Sequence, residues 1–375
     1  MKYRLGDIAP IKQGVISDSE DYWLLNLDAI ESNTGRIIEY FFAGEDEIGA
    51  STVVFDTENV LYSKLRPYLN KVVLPQQCGY ATSEMLPLRP NINIITREYL
   101  TYFLRSPKFV GYINEKTSGA KMPRANTSDL MAVEIDCPPI DKQNEITKLF
   151  DRLVSIIELR KKEITILDDL IKARFVELFG EYYNNHINEK QLDEICDFID
   201  YRGKTPEKSE SGIPLITAKN VKDNRFSIEP QEFIPEENYD DVMTRGIPRV
   251  NDVLFTTEAP LGNVCRIPDV YERFCVGQRL ITMQPHTDVI NSEYLEHALA
   301  SAEFQEKMWQ KSSGSTVKGI RSKLLVLLTI PVPPIELQNQ FRDFVHQVDK
   351  SKVVVKKALD EAQLLFDSLM QKYFG

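Results

Sequence analysis

Residues 137–180 read CPPIDKQNEITKLFDRLVSIIELRKKEITILDDLIKARFVELFG, and residues 332–375 read VPPIELQNQFRDFVHQVDKSKVVVKKALDEAQLLFDSLMQKYFG. Cys137-Pro138-Pro139-Ile140 falls on Val332-Pro333-Pro334-Ile335, Gln143-Asn144 on Gln338-Asn339, and Phe179-Gly180 on Phe374-Gly375. The offset is 195 each time, so neither stretch has gained or lost a residue against the other. The same offset carries Glu98-Tyr99-Leu100 onto Glu293-Tyr294-Leu295, and Ser118-Gly119 onto Ser313-Gly314. Upstream it drifts: Asn59-Val60-Leu61 meets Asp252-Val253-Leu254 at 193, and Leu5-Gly6-Asp7-Ile8 meets Leu192-Asp193-Glu194-Ile195 at 187. A Pro-Pro match alone is common. An offset held over about 80 residues marks an internal duplication whose middles have diverged.

Each copy closes on a stretch that leaves Pro139 or Pro334 and meets no further Gly or Pro until Gly180 or Gly375. Pro before and Gly after is helix punctuation. Read in heptads, the first stretch aligns Phe150, Ile157, Ile164, Ile171 and Leu178. The second aligns Phe341, Val348, Val355, Ala362 and Leu369, with Val345, Lys352, Leu359, Phe366 and Tyr373 beside them. An apolar stripe over four or more heptads predicts a coiled coil. At about 1.5 Å per residue each helix is roughly 60 Å long, more than a small domain covers. Either each helix packs on its own globule or the two pack on each other. The duplication favours the second, with an antiparallel pairing.

The rest of each copy is built of short runs of β-branched and aromatic residues between turn formers, such as Val53-Val54-Phe55, Lys71-Val72-Val73-Leu74 and Asp252-Val253-Leu254-Phe255-Thr256. Short helices are predicted over Arg97 to Leu104 and Ser292 to Lys311. The fold class is α+β: two mixed globules, residues 1–139 and 181–334, separated by two long helices, 140–180 and 335–375, in a pseudo-twofold duplication.

At 375 residues, 42% hydrophobic and 27% charged, the chain has the composition of a soluble globular protein of about two domains. No run of about 18 apolar residues predicts a membrane span, and MKYRLGDIAP lacks the apolar core of a signal peptide, so a cytoplasmic protein is expected. Cys78, Cys137, Cys196, Cys265 and Cys275 include no CxxC, and His186, His286, His297 and His346 show no ligand spacing, so no structural metal is expected.

The order globule, helix, globule, helix resembles the specificity subunit of type I restriction–modification systems, over nearly the whole chain. Several strings carry the likeness. Tyr201-Arg202-Gly203-Lys204-Thr205-Pro206, with Gly212 to Val221 after it, looks like the opening of one type of target recognition domain. Phe255-Thr256-Thr257-Glu258-Ala259-Pro260-Leu261-Gly262-Asn263 and Gly277-Gln278-Arg279-Leu280 look like its centre. Leu65-Arg66-Pro67-Tyr68-Leu69-Asn70-Lys71 is similar to a recurrent string in the first copy, which lacks the Arg-Gly-Lys-Thr-Pro element and so belongs to another subtype. Both copies carry a Ser-Gly loop, Thr117 to Arg124 and Ser312 to Gly319. The resemblance implies two recognition domains for double-stranded DNA and two spacer helices. It also implies two modification subunits as partners, which hold S-adenosylmethionine, with restriction subunits in the full complex.

The net charge of −11 runs against a DNA partner unless the surface is divided. Residues 140–180 hold eight basic and eight acidic residues and 335–375 hold six of each, so the excess lies in the globules. There, 97–124 holds six basic against two acidic, 301–323 five against two, and 201–225 six against three, whereas Glu229 to Asp241 is acidic. A basic face with an acidic back and a mixed solvated surface both fit these counts. The residues expected to touch DNA are Lys64, Arg66, Tyr68, Ser118, Lys121 and Arg124 in the first copy. In the second they are Tyr201, Arg202, Lys204, Lys219, Arg279, Ser313, Lys318 and Arg321. Lys and Arg meet phosphates, Arg also suits guanine, and Gly lets backbone amides approach a phosphate. Each Arg can equally be an ion-pair partner, each Ser-Gly loop an ordinary turn, and Tyr68 and Tyr201 packing residues.

No Gly-x-Gly-x-x-Gly cradle, no phosphate loop of the Gly-x4-Gly-Lys type and no Asn-Pro-Pro-aromatic string occurs. No cofactor and no catalytic set is therefore expected. Two globules on a helical strut imply a bipartite, asymmetric target. Alternatives are an orphan recognition subunit, a coiled-coil adaptor that binds protein, and a nuclease with a cryptic metal site.

Overall fold

The computed structural model describes residues 1–17, 20–119, 121–201, 206–222, 224–315 and 317–375, with Glu45 described by its backbone alone. Two compact units emerge: Met1–Lys162 with Lys356–Gly375, and Glu163–Val355. Each holds one globule, the start of one long helix and the end of the other.

Both globules are closed by the same pairing. In the first unit Lys2–Arg4 pairs antiparallel with Glu134–Asp136, and in the second Glu189–Gln191 pairs with Thr329–Pro331. A short helix follows each first strand, Leu5–Ile8 and Leu192–Ile195. Its first amide donates to Val133 O at 2.8 Å or to Leu328 O at 3.0 Å, again 195 residues apart. The central strands correspond as well. Val60–Ser63 pairs with Met85–Leu88, and Val253–Thr257 with Leu280–Pro285. Thr52–Phe55 holds the predicted run at 53–55. The second predicted helix divides at Ser301, whose hydroxyl caps Ala302–Lys311, leaving Ser292–Ala300 before it. Ser and Thr favour such caps because their oxygen accepts from an otherwise orphaned amide.

The long helices run over Ile140–Asn184 and Ile335–Phe374. The second runs to the penultimate residue. The first passes through Gly180 for another turn, a correction with a local cause. A Cβ at Gly180 would meet only Val176, and beyond it Tyr183 packs its ring 5.7 Å from Phe175. Burying Tyr183 outweighs the roughly 1 kcal/mol that Gly costs inside a helix.

Gln143 and Gln338 anchor the helix starts. Both are fully buried. Gln143 Oε1 accepts from Thr96 N at 2.9 Å, and its amide donates to Ile94 O and Pro138 O at 2.8 Å. Gln338 makes the same three bonds, to Asn291 N, Val289 O and Pro333 O, at 3.0, 3.0 and 2.8 Å. Buried polar groups must be paired, so each glutamine fastens a helix start to its globule.

The helix ends complete the cores. In the first unit Phe374 lies 5.1 Å from Tyr99 and 5.9 Å from Phe150. In the second Phe179 lies 4.7 Å from Tyr294 and 5.5 Å from Phe341. Within each unit the start of one helix therefore packs on the end of the other, which makes them antiparallel there. The stripe positions Phe150, Ile157, Ile171, Phe341, Val348 and Val355 are buried.

Candidate nucleic-acid interface

In both units the Ser-Gly loop forms a small hairpin. Ser118 pairs across from Arg124, and Ser313 across from Gly319 with two backbone bonds of 2.9 Å. The turns require left-handed backbone, supplied by Gly119 at φ 97° and Gly314 at φ 114°. A Cβ on Gly314 would lie 2.0 Å from Val317 O.

The sequence does not disclose where these hairpins dock. Ala125 N donates to Lys64 O at 2.8 Å, and Ile320 N to Thr257 O at 3.1 Å. Leu65 bridges to Arg124, and Glu258 to Gly319. Equivalent hairpins are thus stitched to the ends of equivalent strands, Val60–Ser63 and Val253–Thr257. This brings together residues more than fifty positions apart.

In the first unit the hairpin meets the turn Pro67–Leu69, entered through Arg66 at φ 48°. Arg66 N donates to Pro123 O at 2.8 Å, and its side chain is exposed. Tyr68 is 52% exposed beside it, so its ring is available rather than packed away. Lys121 is exposed on the hairpin. Arg124 is spoken for: its Nε and Nη2 donate to Glu84 Oε1 at 3.0 and 2.9 Å, which raises its pKa. Lys64 Nζ stands 4.0 Å from the other Glu84 oxygen.

In the second unit the hairpin walls an open cleft of about 390 Å³, lined by Thr257, Glu258, Gln278, Arg279, Ser313, Val317, Gly319, Ile320 and Arg321. Three expected DNA contacts, Arg279, Ser313 and Arg321, meet here, and Lys318 is exposed nearby. Arg279 Nε lies 3.3 Å from Glu258 Oε1. Strand register makes Met85 equivalent to Leu280, and hence Glu84 to Arg279. An arginine–carboxylate contact thus occurs at this strand end in both units, but with partners from different positions, since Arg124 corresponds to Gly319 and Glu258 to Leu65.

Other expected contacts fall elsewhere. Tyr201 is 2% exposed, donates to Gly246 O and accepts from Arg245 N. It is a core residue, which corrects the expectation of a DNA contact and leaves the packing reading. Lys219 lies outside the cleft, 2.9 Å from Glu232, which also takes Lys208 at 2.6 Å. Burial raises the pKa of Glu232, but the bonds from both lysines outweigh it and the net value is lowered. Arg202 and Lys204 lie outside the described residues. The carboxylates Glu84 and Glu258 were not foreseen. Glu258 stood within a family-like string, whereas nothing local to Glu84 marks it.

Among the described residues one potential ligand cluster forms, just beyond the end of the first long helix. His186, Glu189 and Glu303 offer atoms within 4.8 Å of one another. Lys307 Nζ lies 3.0 Å from Glu189 and 2.8 Å from Glu303. An ammonium group already neutralises both carboxylates there, so the donor set suits an ion-pair network rather than a metal.

A family model for the type I restriction modification DNA specificity domain matches residues 1–168 and again 184–362. The type I restriction enzyme MjaVIII specificity subunit of Methanocaldococcus jannaschii is 21% identical over 304 residues, 76% of this chain and 71% of its own length. The type I restriction enzyme EcoDI specificity subunit of Escherichia coli is 27% identical over 135 residues, 36% of this chain and 30% of its own. The crystal structure of a type I restriction-modification S subunit from M. genitalium matches with a TM-score of 0.60 at 18% identity, covering 100% of this chain and 96% of that one. A chain solved in work on complex assembly and conformational transition of the type I R-M system matches at 0.57 and 18%, covering 100% and 97%. At such identity these structures are likenesses of fold. Among the described residues no helix is long and apolar enough to cross a membrane.

Proposed function

Because the chain belongs to the type I restriction–modification DNA specificity family, we propose that it reads a bipartite, asymmetric DNA target, one half-site per globule, and docks the subunits that act on it. The observation that carries this reading is the Ser-Gly hairpin, fastened in both units to the same strand end with cations around it. Arg66, Lys121, Lys318 and Arg321 are exposed and have no carboxylate partner among the described residues. Their charges neutralise phosphates, while backbone amides and Ser118 and Ser313 approach them closely. Phosphate contacts set register, and polar side chains lining the cleft read base edges.

The globules differ in sequence, so the half-sites differ. Half-sites about one turn apart, roughly 34–36 Å, are readable from one face of a duplex, and the paired helices set that gap. The duplicated helices present two equivalent docking positions, one for each of two modification subunits, which carry S-adenosylmethionine. Restriction subunits join in the full complex. The chain itself contributes recognition and no catalysis, and it works in the cytoplasm.

The test is the salt dependence of duplex binding by the full-length chain. Four free cations give a slope of at least about −3.6 in log K against log salt, from −0.9 per phosphate. Affinity should fall at least about a hundredfold between 50 and 200 mM salt. Binding that is absent, or flat with salt, would instead indicate an adaptor for proteins.

A further inference from the structure

We propose that Glu258 and Arg279 together read a G·C base pair in the half-site of the second unit, Glu258 accepting from cytosine N4 and Arg279 donating to guanine O6 and N7. This rests on the DNA-reading function above and names the base pair that the cleft selects. A carboxylate is an acceptor only. The phosphates and the acceptors of the base edges repel it, so on the major-groove side only exocyclic amino groups of cytosine and adenine satisfy it. A carboxylate placed among cations at such a surface is therefore the side chain least able to serve as a backbone contact.

Glu258 has that placement. It lines the mouth of the 390 Å³ cleft with Arg279, Arg321, Ser313 and Gln278. Its side chain is 48% exposed and that of Arg279 54%, so both can turn outward. Their N···O separation is 3.3 Å. In a G·C pair the O6 acceptor of guanine and the N4 donor of cytosine are hydrogen-bonded to each other, about 3 Å apart. The side-chain pair thus presents a donor and an acceptor at the spacing of the complementary acceptor and donor. Thymine would offer Arg279 one acceptor and a methyl group, whereas guanine offers two acceptors. The pair in the first unit differs: Glu84, at the position of Arg279, is 23% exposed, held by Arg124 at 2.9 Å and flanked by Lys64. It is the less available of the two and provides an internal contrast.

The experiment selects duplexes from a random pool with the full-length chain, in wild-type form and as Glu258→Ala, Glu258→Gln and Glu84→Gln. Wild type should enrich a split motif with one G·C position favoured about tenfold or more. Glu258→Ala should bring that position below about threefold while the other half-site is enriched unchanged, which also shows that the variant is folded. Glu258→Gln should move it toward adenine, since glutamine suits adenine N6 and N7. Glu84→Gln should leave it intact. A motif unaltered by Glu258→Ala, uniformly tighter binding of Glu258→Ala with no change of motif, or an A·T pair selected by the wild type at the affected position overturns the proposal. A wild-type chain that enriches no split motif overturns the DNA-reading function as well.

Discussion

Replacing Gln338 with leucine removes one side chain and strands three backbone groups. Asn291 N, Val289 O and Pro333 O each lose a partner at 2.8–3.0 Å in a fully buried site. Each orphan costs about 1–3 kcal/mol, and the added apolar volume recovers part of the sum, so about 3–5 kcal/mol is expected. Gln143→Leu strands Thr96 N, Ile94 O and Pro138 O in the same way. The two costs should agree within about 1 kcal/mol, because identical bonds are lost in two different cores. The chain has two tryptophans, and they fall one in each unit: Trp23, buried, and Trp309, 47% exposed. Urea unfolding followed by fluorescence, with Trp309→Phe or Trp23→Phe to isolate one reporter, assigns each loss to a unit. With a slope of about 2 kcal/mol per molar urea, a 4 kcal/mol loss shifts the affected midpoint by about 2 M. A shift below about 0.5 M for either variant, or costs that differ by more than about 2 kcal/mol, would refute the equivalence of the two anchors.

Phe179→Ala and Phe374→Ala should each cost about 3–5 kcal/mol, measured in the same assay, since each ring fills a core formed by the opposite helix start and a globule tyrosine. Arg321→Ala and Lys121→Ala should each reduce the salt slope of duplex binding by about 1. An unchanged slope would remove that residue from the interface. Gly314→Ala strains a φ of 114° and drives a Cβ against Val317 O. It should weaken duplex binding without moving either unfolding midpoint by more than about 1 M urea. His297 is half-buried with Arg266 and Lys352 near it, and desolvation first, then those cations, lowers its pKa to about 4. Its folded value is below the unfolded 6.5, so its neutral form stabilises the fold above about pH 6.5. That stability, about 3 kcal/mol, is lost as pH falls toward 4. His297→Gln should flatten this part of the pH–stability curve.

The duplication, the helices and their stripes were legible because periodicity and a constant offset are properties of sequence alone. The Ser-Gly loops were legible for the same reason: Gly119 and Gly314 occupy matching positions and need the same left-handed backbone. What sequence could not supply were contacts over long separations. Glu84 reaches Arg124 across 40 residues, and Lys64 meets Ala125 across more. Tyr201 could be read from sequence as a DNA contact or a packing residue, and the packing reading holds because its hydroxyl finds Gly246 and Arg245, 45 and 44 positions on. Gly180 looked like a stop, but the helix continues because Tyr183 has a core to enter. That core belongs to the globule after the helix, which no local pattern reveals.

The most direct test of two distinct reading heads is the methylation pattern that the 375-residue chain lays down on random-sequence DNA when combined with the modification subunits proposed as its partners. One split, asymmetric motif with a fixed gap is expected, and inserting one base pair into that gap should abolish methylation. A palindromic motif, tolerance of the insertion, or methylation without sequence preference would contradict the account.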